Sequence, residues 1–131
     1  MLQAQPNKYL ENSVQTASPA QLLIMLCDGA IRFGKKSIED IKNQDFISAN
    51  TNIGKVQDII SEFVITLDKE SPIAEQLLQL YEYFSYLLIQ ANVKKDPQPI
   101  QEVVGYLMEL KETWLQAAKL SVGARPGTSN G

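Results

Sequence analysis

The side chains that could do chemistry are carboxylates in neighbouring positions, Glu39 with Asp40 and Glu109 with Glu112. Paired carboxylates can exchange protons with a substrate or, together with histidine, hold a metal between helices. The chain has no histidine. This excludes histidine-based acid–base catalysis, Ser-His-Asp and Cys-His nucleophiles, and the Glu-x-x-His metal site of helical bundles. The acid pairs are instead typical of solvated helix faces, so we expect no enzyme, no metal and no cofactor.

The single cysteine, Cys27, excludes an internal disulfide and a multi-thiolate metal site. No glycine-rich phosphate loop and no G-x-S-x-G nucleophile motif occurs in the sequence. Cys27 falls on an apolar helical stripe, where a thiol is typically a small inert core residue. We therefore predict a protein of a reducing compartment without nucleophilic chemistry.

The charge and the length of the chain indicate which further classes of protein are not expected. The chain has 131 residues with 15 acids and 12 bases, a formal charge of −3. Only Arg32 and Arg125 are arginines, so a phosphate-tracking surface is absent and nucleic acid is not expected as a partner. The N-terminal sequence lacks the pattern of a secretory signal, and no apolar run reaches the roughly 18 residues of a membrane span. These features predict one cytoplasmic domain without membrane insertion.

Four segments combine a helix start with apolar residues at helical spacing. Ser18-Pro19, Ser71-Pro72 and Asp96-Pro97 place a capping residue before proline, and Asp45 is a weaker cap. The predicted helices span about 19–42, 46–67, 72–94 and 97–120. Short links favour antiparallel neighbours, so we predict an all-α, up-down-up-down four-helix bundle over residues 18–122. Residues 1–17 form a predicted N-terminal cap arm, and the Gly/Pro/Ser-rich residues 123–131 a disordered tail.

The helices carry more apolar residues than one core stripe requires. The core stripes comprise Leu23, Cys27, Ala30, Gly34, Ile38 and Ile41, then Phe46, Ala49, Ile53, Val56, Ile60, Phe63 and Leu67, then Ile73, Leu77, Leu80, Tyr81, Phe84, Leu88 and Ala91, then Ile100, Val103, Leu107, Leu110, Trp114 and Ala117.

The surplus residues suggest a groove for an amphipathic helical partner. One alternative remains open, because wide core stripes also close against neighbouring helices. On helix 3, Leu78, Tyr83, Tyr86 and Ile89 also point away from the core centre. The predicted partner-binding residues are Leu22, Met25 and Phe33 on helix 1, Ile47 and Ile65 on helix 2, and Val104, Met108 and Leu115 on helix 4.

Tyr9, Leu10 and Val14 are the apolar residues of the N-terminal arm. Their spacing allows a short amphipathic turn. Two interpretations remain open: a hydrophobic staple that fixes the entry to helix 1, and a cap that covers part of the groove until a partner displaces it.

The order and spacing of several short motifs resemble the FliS family of flagellin-specific export chaperones, from about Tyr9 to Trp114. Small departures are Cys27 in place of the usual aromatic residue, Glu82 in place of Asp, and the two prolines of the last loop. The matching positions are Tyr9, Asn12–Pro19, Leu22, Met25-Leu26, Asp28–Ala30, Asn50, Ile53, Lys55–Ile60, Leu67-Asp68, Leu80–Tyr83, Ala91-Asn92, Asp96, Glu102-Val103 and Trp114.

The resemblance implies a chaperone that binds the disordered C-terminal segment of flagellin, prevents its premature polymerisation and delivers it to the export-gate protein FlhA. It also implies that the N-terminal cap, carried here by Tyr9, Leu10 and Val14, shifts when flagellin binds. Whether this arm plugs the groove or docks on the gate stays open. Two alternatives from other classes remain open. One is a self-associating bundle, a homodimer that buries the extra stripes against a second copy. The other is an enzyme that uses carboxylates alone, which would require a deep pocket with two facing buried acids.

Overall fold

Four α-helices make up the part of the chain that a computed structural model describes, residues 19–124, with side chains described over residues 19–120. They are α1 (Pro19–Lys42), α2 (Phe46–Thr66), α3 (Ala74–Lys94) and α4 (Pro97–Ala124). No strand occurs within this range. The predicted all-α four-helix bundle is confirmed, while the up-down-up-down order stays a prediction. The predicted arm, with Tyr9, Leu10 and Val14, and residues 125–131 of the predicted tail lie outside the described residues.

Local side chains explain where the helices begin. The Asp45 carboxylate accepts a hydrogen bond from the backbone N–H of Ser48 at 3.2 Å, which satisfies a free donor in the first turn of α2. The Asp96 carboxylate does the same for Gln98 at 3.0 Å, in front of Pro97. Residues 71–73 form a turn, and α3 begins at Ala74, two residues later than predicted. At the other end, α4 continues to Ala124, so the last helical residues overlap the predicted tail.

The core lies between the four helices, which pack as neighbours in the order α1–α2–α3–α4 and back to α1. At one level, the rings of Phe63 and Tyr81 stack with centroids 5.1 Å apart. The prediction that Phe46 and Ile73 belong to the core is wrong, because each residue is 42% exposed. Phe46 is the first residue of α2 and Ile73 directly precedes α3, so each lies at an end of the bundle. Fully buried side chains include Cys27, Ala30, Ile53, Val56, Ile60, Phe84, Leu88, Ala91, Ile100, Val103 and Leu107.

A glycine allows α1 and α4 to approach each other closely. A Cβ placed on Gly34 would lie 2.8 Å from Cγ2 of Val104 and 3.7 Å from Cγ2 of Ile100. The expectation that Val104 lies on an open stripe is therefore wrong, because Val104 is buried. Helical phase placed Val104 on a shoulder of α4, and the close approach of α1 covers that shoulder.

A buried carboxylate ties the end of α1 to the start of α2. Asp40 accepts hydrogen bonds from the Ser48 hydroxyl at 2.7 Å and from the Asn52 amide at 2.8 Å. Lys36, one turn earlier on α1, pairs with its other oxygen. Burial penalises the charge, but these donors more than offset that cost and hold the pKa of Asp40 below its ordinary 3.8. The network fixes the angle of the first hairpin.

Gly34→Ala tests the close approach of α1 and α4. The added methyl group has to displace Val104, which lowers the free energy of unfolding by about 1–3 kcal/mol. The higher helix propensity of alanine raises it by only about 1 kcal/mol. We expect a net loss in the free energy of unfolding, measured by urea denaturation. Gly105→Ala is the matched control, because nothing lies within 4 Å of its Cβ position. It should gain roughly 1 kcal/mol from propensity alone. Equal gains in both variants would contradict the close approach.

Asp40→Asn tests the hairpin network through pH. The folded pKa is lowered, so the unfolded chain binds the proton first as pH falls. The contribution of Asp40 is complete above its ordinary pKa of 3.8 and is lost as pH falls through the lower folded pKa. We expect Asp40→Asn to cost roughly 1.5–3 kcal/mol near pH 7, the range for hydrogen bonds to charged groups. The difference from the unmutated chain should shrink towards pH 2. A difference that stays constant with pH would refute this role.

Candidate functional site

The predicted partner-binding residues divide between two different seams of the bundle. Phe33 lies on the seam between α1 and α2, where the Lys55 ammonium is 5.0 Å from the centre of its ring. Gly29 faces the same seam, because a Cβ there would lie 3.2 Å from Cδ1 of Ile59. The Arg32 guanidinium also lies over the Phe33 ring, at 5.6 Å. This seam therefore combines a half-buried aromatic ring with two positive charges.

Leu22 opens into a cavity at one end of the bundle, near the first residue of α1. The cavity has a volume of about 230 Å³. Trp114 forms part of its wall, and its indole N–H is buried without a hydrogen-bond partner among the described residues. Buried indole N–H groups usually have a partner. The cavity is lined by Pro19, Leu22, Leu23, Phe63, Thr66, Leu67, Asp68, Ser71, Ile73, Leu77, Tyr81 and Trp114.

Met108 and Leu115 belong to α4, whose contacts with α1 form the second seam. Lys111, between them in sequence, forms a salt bridge of 2.7 Å with Asp28 of α1. Met108 is exposed and Leu115 is half-buried. Because Leu22 and Phe33 face α2 or the end cavity, α1 separates them from the α4 residues. The sequence treated the stripes of the two helices as one groove, whereas the structure places them on opposite sides of α1.

Ile47 and Ile65 lie in solvent near the two ends of α2, at 85% and 71% exposure. The prediction that they point away from the core agrees with this exposure. They are 18 residues apart, about 27 Å along a helix, so they do not form one pocket. Met25 is half-buried.

A further apolar surface lies on α3, where Tyr83, Tyr86 and Ile89 were noted in the sequence but not assigned to a site. Val93 and Tyr106, both exposed, extend this surface and were missed. The spacing of Tyr86 and Val93, seven residues apart, was an available signal for one helix face. The proximity of Tyr106 on α4 could not be predicted from the sequence, because it depends on how α3 and α4 pack.

The buried thiol is not poised for chemistry. Cys27 lies in the core, and burial, with the nearby Asp28 charge, raises its pKa to about 12. Among residues 19–124, no group of three acids or cysteines is placed to hold a metal ion. In the same range, none of the helices has the length and apolarity to cross a bilayer. The described surface therefore offers apolar seams for binding.

Comparison with known proteins agrees with the family that the motifs resemble. Residues 1–121 match the family model described as flagellar protein FliS. A flagellar secretion chaperone FliS of Bacillus subtilis is 34% identical over 120 residues, covering 92% of this chain and 90% of the relative. The protein of the same name in Salmonella typhimurium is 34% identical over 110 residues, 82% of each chain. That of Vibrio cholerae is 29% identical over 117 residues, 88% of this chain and 86% of the relative.

A family model that spans nearly the whole sequence leaves little of the chain outside the match. The relatives are secretion chaperones by name, which fits a helical bundle with apolar seams and no reactive centre among its described residues. The chain therefore belongs to the FliS family of flagellar proteins.

Proposed function

We propose that this flagellar export chaperone binds the disordered C-terminal segment of flagellin in the cytosol. Binding keeps that segment from polymerising before export, and the complex delivers flagellin to the cytoplasmic domain of the export-gate protein FlhA. The chaperone itself performs no catalysis. Family membership supports the general role in flagellar export. The client and the gate are the finer part of the proposal.

The observation that carries the proposal is an apolar surface left over after the core is complete. Leu107 and Phe84 fill the interior, while Met108 and Ile65 on the same bundle stay in solvent. Isolated apolar residues on a surface need no explanation. Here Phe33 lies on the seam between α1 and α2, and Met108 and Leu115 lie beside the seam between α1 and α4. The two seams provide separate tracks for a long client. A client that becomes ordered on binding requires a large contact area, because its ordering costs about 2–5 kcal/mol or more.

Self-association is the second candidate function. Exposed isoleucines at both ends of α2 would also suit burial against another copy. Light scattering coupled to size exclusion separates the two candidates, using the full chain with and without a peptide of the flagellin C-terminus. A monomer that becomes a 1:1 complex supports the chaperone. A stable dimer that ignores the peptide supports self-association and overturns the proposed client.

The α4 seam yields the sharpest substitution test. Met108→Asp with Leu115→Asp places charge on two residues that the core does not enclose. We expect the flagellin peptide to bind at least tenfold more weakly, a loss of about 1.4 kcal/mol or more, because a carboxylate replaces the apolar surface that each side chain offers the client. Isothermal titration calorimetry measures the affinity.

Thermal unfolding provides the control for that variant. The midpoint of thermal unfolding should stay close to that of the unmutated chain. As a charge-matched control, Gln101→Asp with Gln116→Asp adds the same charge at exposed positions of α4. If the Met108 and Leu115 variant unfolds, those residues are structural and the α4 seam is not a client track. If it binds normally, the client lies elsewhere.

Deletion of residues 1–15 tests the proposed cap, with Tyr9, Leu10 and Val14. The arm joins α1 at Pro19, on the rim of the end cavity, which supports a covering role there. A cap that competes with the client predicts unchanged or higher flagellin affinity after deletion. A large loss of affinity would show that the arm is part of the binding surface instead. If the arm covers the cavity in the full chain, its deletion should shift the fluorescence of Trp114, the single tryptophan, to longer wavelength.

A further inference from the structure

The outer side of α3 and the adjoining edge of α4 carry large apolar side chains that the bundle leaves in solvent. Tyr86, Ile89 and Val93 are 56%, 52% and 75% exposed, and their spacing places them on one side of α3. Tyr83 and Tyr106 adjoin them, each 39% exposed. These five residues, the α3–α4 face, share no member with the proposed flagellin-binding set.

Two of the tyrosines are held in place before any partner arrives. The rings of Tyr83 and Tyr106 meet edge to face, with centroids 6.3 Å apart and planes at 85°. The Tyr106 ring also lies 5.8 Å from that of the buried Phe84. The Tyr83 hydroxyl donates a hydrogen bond to the Glu102 carboxylate. Rigid aromatic side chains cost little conformational entropy when they bind, which suits an interface.

Acidic residues border the α3–α4 face. Glu102 touches it through Tyr83. Glu82 lies one turn before Tyr86 on α3, and Glu109 lies three residues after Tyr106 on α4, so each is a helical neighbour of an exposed tyrosine. All three carboxylates are exposed. Among the described residues of α3 and the first turns of α4, Lys94 at the end of α3 is the basic side chain that adjoins this face.

The α1–α2 seam has the opposite charge character. Arg32 and Lys55 lie over Phe33, and Lys35 is exposed on the same helix as Arg32. A positively charged partner therefore fits the α3–α4 face better than the surroundings of Phe33. Such complementarity gives specificity and a faster association rate.

We propose that the α3–α4 face docks an amphipathic helix of a partner protein that carries Lys or Arg beside its apolar stripe. The apolar stripe packs on the exposed tyrosines and on Ile89 and Val93. The basic side chains reach the three bordering glutamates. A helix lying in a groove between two helices is an established mode of recognition.

A second copy of the chain fits this face poorly. In a two-fold dimer each surface meets itself. The three glutamates of one copy would then face the same three glutamates of the other. Contact between this face and the α1–α2 seam of the next copy would be heterologous and would build a ring or an open chain, not a dimer.

The test uses the full chain and two designed 18-residue helical peptides with a fluorescent label. Both have leucine at positions i, i+3, i+4 and i+7, flanked by lysine in one peptide and by glutamate in the other. We expect the lysine peptide to bind at least tenfold more tightly in fluorescence anisotropy. Its affinity should fall as salt screens the charges.

Two variants locate the binding. Tyr86→Ala with Val93→Ala should weaken the lysine peptide about tenfold, because exposed aromatic anchors contribute strongly to binding. Glu82→Lys with Glu109→Lys should reverse the preference between the peptides. Glu39→Lys with Glu62→Lys is the matched control, with the same change in net charge at exposed positions of α1 and α2. Circular dichroism checks that each variant folds.

Several results overturn the proposal. These are equal binding of the two peptides, binding that survives both variants, and an equal loss in the matched control. A dimer that Tyr86→Ala with Val93→Ala converts to a monomer would make a second copy the occupant. Binding of the lysine peptide only after deletion of residues 1–15 would make the chain's own arm the occupant. Because flagellin is absent from these assays, the result does not depend on the proposed client.

Discussion

The close packing of α1 against α4 at Gly34 determines much of the remaining surface. With no side chain at that position, Val104 reaches the backbone of α1 and becomes part of the core. Lys111 and Asp28 then lie close enough to form a salt bridge across the same seam. As a result, α4 covers one side of α1 and α2 covers the other, where Phe33 lies. The two apolar seams are separate because α1 lies between them.

The bundle also has two electrostatically different sides, although its net charge is only −3. Phe33 is covered by cationic groups, whereas the exposed tyrosines of α3 are bordered by carboxylates. Apolar area supplies much of the affinity of an interface, and charge selects which partner uses it. A chaperone with two such sides can hold one segment on one side and meet another protein on the other. The fold achieves this because α1 and α3 lie diagonally across the core.

The end of the bundle has a different character. The cavity near Pro19 combines largely apolar walls with the indole N–H of Trp114, which has no hydrogen-bond partner within residues 19–124. An N–H group without a partner in an apolar setting costs free energy. A segment that enters this cavity with a backbone carbonyl would remove that cost. Pro19, the first residue of α1, lies on the rim of this cavity.

The helical periodicity of the apolar residues predicts the four helices and most of their buried stripe, because burial repeats with the period of the helix. The sequence also excludes catalysis by histidine, because that residue type is absent. Tertiary structure alone decided which surplus residues stay exposed. Val104 and Met108 occupy neighbouring shoulder positions on α4, yet one is buried and the other is half in solvent. Helical phase gives the direction of a side chain but not the distance to the next helix, and that distance depends on Gly34.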